Sequence, residues 1–257
     1  MALRYELYED RNSVVHRLDP RVKIILLFEV FATSVLFVRT TILLPLFIGV
    51  CLVLWLSHVS WAKIRVFLGG LLSLALMSII LWPLFYHKGT VFWSWGPVIV
   101  TEGGLVFGVA MASRILAMVL ASFVLMLTTS YRDLILGFRG LGLPFRAAFT
   151  VAMALRFLPT VIGMGRTITE AQRARGLDLD KGSLFSKARK AAPILGPLML
   201  NAIRLAQQMA IAVEIRGLDS KQKRSDFYVL KMNSYDVVIL SLSLLALAAL
   251  VSYRFII

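Results

Sequence analysis

Two arginines stand out by their context. The stretch Glu170-Ala171-Gln172-Arg173-Ala174-Arg175-Gly176-Leu177-Asp178 closes one long helical pattern, and Ala212-Val213-Glu214-Ile215-Arg216-Gly217-Leu218-Asp219 closes another. Glycine suits the left-handed position just past a helix end, and a leucine after it packs back on the last turn. An arginine directly before such a glycine sits at the negative end of the helix dipole. Its planar guanidinium can fork two hydrogen bonds to a carboxylate or to a pair of carbonyls. The chemistry this offers is charge-assisted docking at two rigid tips. The same letters occur at Arg139-Gly140-Leu141, so the local pattern alone also fits a habitual helix stop, and both readings stand at this point.

Patterns that support catalysis are missing. Asp180-Lys181-Gly182-Ser183 lacks the glycine loop that wraps phosphates, and no nucleophile elbow is present. His16, His58 and His87 are scattered, so no zinc-binding pair is expected, and no metal site. The single cysteine, Cys51, lies inside an apolar run, which excludes a disulfide framework. No apolar span carries paired acids. The expectation is a chain that catalyses nothing alone and binds no cofactor.

The elements that must position the arginines follow from composition. With 59% hydrophobic residues in 257 and a mean hydropathy of +0.81, the chain reads as an all-α polytopic membrane protein. Residues 1–130 hold a polar N-terminal segment, with no cleavable signal peptide visible, and four transmembrane helices at about 22–38, 41–57, 66–86 and 104–128. Asp19 followed by Pro20 reads as an N-cap with proline at the first helical position. His87-Lys88-Gly89 and the tryptophans of Val91-Phe92-Trp93-Ser94-Trp95-Gly96-Pro97 suit an interfacial loop on the non-cytoplasmic side. Residues 236–257 form the fifth transmembrane helix.

Residues 131–235 are read as a cytoplasmic coupling domain, with two long helices at about 147–176 and 188–217. Their apolar stretches, 147–165 and 191–213, could pass for membrane spans. Charge argues otherwise, because 17 of the 28 basic residues fall in 131–235 and crossing would export most of them, against the positive-inside rule. Arg204, Gln207 and Gln208 near the middle of the second stretch are also costly in hydrocarbon. The net charge of +14 therefore reads as a cytoplasmic face, and no nucleic acid partner is implied. Five spans follow, with the N-terminus inside. Pro159, Pro193 and Pro197 are expected to bend the coupling helices. Their apolar positions, among them Val151, Met153, Leu158, Met199, Leu205 and Met209, cover most of a helix face. Glu29 and Arg114 fall within spans and are a candidate structural ion pair.

These residues match a known family. Ala171-Gln172-Arg173-Ala174-Arg175-Gly176 with a second Arg216-Gly217 resembles the transmembrane T component of energy-coupling-factor transporters, the group that includes the cobalt-transport protein CbiQ. Leu18-Asp19-Pro20-Arg21-Val22-Lys23, Leu141-Gly142-Leu143-Pro144 and Ala154-Leu155-Arg156-Phe157-Leu158-Pro159 support the match, which extends over roughly residues 14–252. The resemblance implies a scaffold whose two long helices cross in an X against two ABC-type ATPase subunits, EcfA-like and either identical or different. ATP and magnesium would be bound by those partners. It implies that the arginine of each motif, Ala174-Arg175-Gly176 and Ile215-Arg216-Gly217, reaches into a groove on one ATPase. A small membrane S component would bind the vitamin or transition-metal ion and topple as the ATPases move. Ile215 departs from the pattern, where a small residue is usual. Two other classes compete: a membrane enzyme, and a membrane anchor or assembly factor that docks a cytosolic partner without transport.

Overall fold

A computed structural model describes residues 13–59, 61–86, 90–95, 98–178, 183–217, 230 and 232–256. His87, Lys88, Gly89, Gly96, Pro97, Asp180, Lys181, Gly182, Leu218 and Asp219, all weighed above, lie outside them. Within the described residues the fold is helical, with one short hairpin. It divides into two compact units, Ala2–Pro144 with Leu230–Ile257, and Phe145–Val229.

The first unit begins with α1 (Val14–Arg17), capped by Ser13, and α2 (Pro20–Leu36). The Asp19 side chain accepts the Arg21 amide at 2.9 Å, and Pro20 occupies the first turn, so the expected cap forms. Next come α3 (Thr40–Leu56) and α4 (Trp61–Phe85). Strands β1 (Val91–Trp95) and β2 (Val98–Thr101) pair antiparallel within the stretch expected to form an interfacial loop, whose strands were not foreseen. Val91, Phe92, Trp93, Val98, Ile99 and Val100 are β-branched or aromatic, types that favour extended backbone and that the turn residues between them do not outweigh.

The centre of this unit is α5 (Glu102–Thr128), which packs on α2, α3 and α4. Its buried face is rich in small residues, Gly104, Gly108, Ala110, Ala112, Ser113 and Ala117, which let helix backbones approach closely. A methyl at Gly104 would lie 2.8 Å from Pro83 Cα, and one at Gly108 would lie 3.3 Å from Ile79 Cα. Val50, Leu71 and Leu120 form the core between α3, α4 and α5. The unit is completed by α6 (Tyr131–Gly140), packed on α2, and by α9 (Ser234–Ile256), also packed on α2. Gly137 permits the first of these contacts, since a methyl there would lie 2.9 Å from Ile24 Cδ1.

The second unit is a pair of long helices, α7 (Phe145–Ala174) and α8 (Leu184–Ile215). Half-buried positions recur every three or four residues: Met153, Phe157, Val161, Met164, Ile168 and Gln172 on α7, with Leu198, Leu205, Met209 and Val213 on α8. That spacing is a coiled-coil-like seam. Val151, Leu158 and Met199, counted with the apolar face above, remain exposed. By length and composition α5, α7, residues Arg189–Ile215 of α8, and Ser234–Arg254 of α9 are each apolar enough to cross a membrane, and 40–56 and 69–85 are shorter apolar helices.

Candidate functional site

The two arginine motifs end their helices in the same way. At the end of α7 the Gly176 amide bonds the Arg173 carbonyl at 2.9 Å and the Leu177 amide bonds the Gln172 carbonyl at 3.0 Å. This is a Schellman stop, with Gly176 left-handed at φ +88°. At the end of α8, Gly217 is left-handed at φ +69° and its amide bonds the Glu214 carbonyl at 2.9 Å. Arg175 and Arg216 are therefore the residues at the two helix boundaries, each exposed and with a guanidinium that has no hydrogen-bond or ion-pair partner among the described residues.

Arg139-Gly140-Leu141 is built differently. Gly140 is the last residue of α6, and the stop falls two residues later at Gly142, φ +112°. Gly140 serves packing instead, since a methyl there would collide with the Arg21 guanidinium. The same letters thus stand at different places: Gly140 lies inside its helix, whereas Gly176 and Gly217 lie just past theirs.

Pairing of α7 with α8 is antiparallel. Near one end Gln172 Nε2 donates to the Pro193 carbonyl at 3.2 Å. That carbonyl would normally accept from the amide four residues on, but position 197 is proline and has no N–H. Gln172 thus satisfies the acceptor that Pro197 leaves open. At the other end a cavity of about 270 Å³ lies between Phe149, Met153 and Phe157 of α7 and Met209 and Val213 of α8, with Arg156 and Arg216 in its lining. Among the described residues no carboxylate lines it. Arg175 and Arg216 consequently sit at opposite ends of the pair, roughly 40 Å apart at 1.5 Å per residue. Both helices run continuously through Pro159, Pro193 and Pro197. Ile215, beside the second arginine, is 80% exposed, while Ala174 occupies the matching place in the first motif.

Comparison with known proteins places this geometry. The family described as cobalt transport protein, CbiQ, matches residues 11–227. The energy-coupling factor transporter transmembrane protein EcfT of Lacticaseibacillus paracasei is 33% identical over 242 residues, covering 90% of this chain and 90% of its own. The EcfT proteins of Thermosediminibacter oceani and Bacillus subtilis are 34% and 32% identical, over 97% and 96% of both chains. This chain belongs to the CbiQ family. It is a multi-pass membrane protein and the transmembrane component of an energy-coupling factor transporter.

Within this CbiQ-family chain the two intramembrane charges are not joined. Glu29 Oε1 accepts from Ser243 Oγ on α9 at 3.2 Å. Arg114 Nη2 donates to the Val35 carbonyl at 3.0 Å, at the end of α2. The candidate ion pair is corrected accordingly. Arg114 satisfies a carbonyl that the helix end leaves open, and Glu29 ties α2 to α9.

Sequence reading missed Lys23 and Asp236. Lys23 Nζ is buried and donates to the Thr128 carbonyl at 2.9 Å, the Thr129 hydroxyl at 3.4 Å and the His16 carbonyl at 3.3 Å. Asp236 accepts the Asp19 amide at 3.1 Å and the Asn233 amide at 2.8 Å. Together they tie the starts of α2 and α9 to the end of α5. The signal lay in Leu18-Asp19-Pro20-Arg21-Val22-Lys23, a charged run at the mouth of a span, but its partners are more than a hundred residues away. Arg156, quoted above only as part of a motif, is the residue the CbiQ-family fold brings beside Arg216.

Proposed function

We propose that this chain is the scaffold of an ECF-type importer, coupling ATP hydrolysis by two cytosolic ATPase subunits to movement of a vitamin- or metal-ion-binding S component. The chain itself catalyses nothing, and ATP and magnesium belong to the ATPases. The N-terminus and residues 131–235 face the cytoplasm, with five spans at about 22–38, 41–57, 66–86, 104–128 and 236–256. The observation that carries the reading is the placement of Arg175 and Arg216. Each is fixed at a helix boundary by a left-handed glycine, and the two stand at opposite ends of one helix pair. One groove cannot take both, whereas two ATPase subunits can take one each. Exposed Leu195, Met199, Ile203 and Ile211 on α8 add an apolar face for the S component and lipid to cover.

The test is pull-down of the ATPase subunits with Arg175→Ala, Arg216→Ala and the double variant, alongside ATP-dependent uptake. A partly desolvated charge-assisted contact is worth roughly 1.5–3 kcal/mol, so each single change should weaken assembly about ten- to a hundredfold. The double change should cost more than either, because the contact is bivalent. Arg175→Lys should also be impaired, since lysine keeps the charge and loses the fork. Full assembly and uptake in the double variant would refute the reading.

A further inference from the structure

Arginine side chains also meet the far end of α2. The last carbonyls of a helix have no intrahelical donor, and two of them here are met by guanidinium groups. Val35 O accepts from Arg114, and Leu36 O accepts from Arg254 Nη1 at 2.6 Å. Arg254 also stands 6.0 Å over the ring of Phe37. Beside these bonds opens a cleft of about 260 Å³ lined by Phe37, Val38, Arg39, Ile42, Tyr253 and Arg254. Among the described residues no carboxylate lines it. Glu29 is engaged by Ser243, and Glu102, at the start of α5, is engaged by Thr90 Oγ1 at 2.8 Å.

Arg39 is the N-cap residue of α3 but makes no side-chain cap bond, and its guanidinium has no partner among the described residues. The cleft also lies at a defined depth. The apolar stretch of α9 ends at Arg254, and residues 37–39 link two apolar helices, so the cleft sits at the membrane boundary whichever side that is. Tyr253 is half-exposed there, as aromatic residues at interfaces are. Val35 and Val38 continue from the rim as exposed apolar surface. Positive charge at interfacial depth, bordered by apolar surface, matches a ligand with an anionic head and a hydrocarbon tail.

We propose that this cleft binds the headgroup phosphate of an anionic phospholipid through Arg39 and Arg254, with an acyl chain along Val35 and Val38. The phosphate receives the fork of Arg39 and the donors of Arg254 not used on Leu36. Bound there, the lipid bridges the α2–α3 link to the end of α9.

The experiment places the purified full-length chain in nanodiscs of phosphatidylcholine, with or without phosphatidylglycerol, and follows thermal unfolding. Phosphatidylglycerol should raise the midpoint of the wild type. Arg39→Gln should weaken the apparent affinity about tenfold, the loss of one charge-assisted contact. Arg65→Gln, which removes the same charge elsewhere, should leave the response unchanged. Arg254→Gln is the poorer test because it also frees Leu36 O. An equal response to phosphatidylcholine, or an undiminished response in Arg39→Gln, would overturn the proposal. Inorganic phosphate producing the same shift in phosphatidylcholine would overturn the lipid assignment and leave a free-anion site. If Arg39→Gln folds poorly, native mass spectrometry of the delipidated wild type decides: one retained phosphatidylglycerol is expected, and none refutes the idea.

Discussion

Gln172 Nε2 donates to the carbonyl of Pro193, across from α7 to α8, at 3.2 Å. The bond exists because Pro197 cannot make it. Loss of the donor in Gln172→Ala should cost about 0.5–1.5 kcal/mol, read as a lower unfolding midpoint. In a Pro197→Ala background the backbone amide returns, and the same change should cost much less. Equal costs in the two backgrounds would show that the side chain acts in some other way.

Gly176 and Gly217 adopt φ of +88° and +69°, conformations that cost a residue with a Cβ about 1–2 kcal/mol. Nothing crowds either position, so backbone strain is the whole of the effect. Gly176→Ala and Gly217→Ala should destabilise modestly and impair ATPase capture, because the arginine before each loses its fixed bearing. Asparagine tolerates this region better than alanine, so Gly176→Asn should recover part of the loss in the same pull-down. Identical behaviour of the alanine and asparagine variants would count against a backbone cause.

Glu29 and Arg114 contact different partners, Ser243 and the Val35 carbonyl. Glu29→Gln and Arg114→Met should therefore lower stability additively, within about 0.5 kcal/mol, in a double-mutant cycle. A coupling of 1 kcal/mol or more would restore the direct pair as the working interaction.

Orientation is open to labelling. A cysteine at exposed Glu170, near the end of α7, in a Cys51→Ala background should resist impermeant thiol reagents in intact cells and react after lysis. Ready reaction from outside would refute five spans with residues 131–235 in the cytoplasm.

The long helices were legible because each holds a run of apolar residues with a readable boundary, whereas the short α1 and the polar α6 were not expected. The Asp19-Pro20 start and the glycine stops at 176 and 217 are local signals, satisfied by atoms within a few residues. Other features depended on distant partners. Lys23 contacts Thr128, and Asp236 contacts Asp19, pairings fixed by helix packing that no local pattern encodes. The hairpin at 91–101 is masked in sequence because its tryptophans and glycines signal an interfacial loop, while its β-branched residues favour strands. Glu29 and Arg114 were considered together because unpaired charge in a membrane is costly. The structure meets that cost with a hydroxyl and a helix-end carbonyl instead, solutions invisible to a search for opposite charges.

The antiparallel register of α7 and α8 has a mechanical consequence. A rod about 40 Å long, held at its two ends by the two proposed ATPase subunits, would work as a seesaw. A tilt of about 10° carries one arginine roughly 7 Å relative to the other along the direction of motion, by the geometry of that length. The fulcrum would fall near the middle of the seam, around the half-buried Val161 of α7 and Leu205 of α8. The Gln172–Pro193 bond is placed where shear between the helices would be resisted.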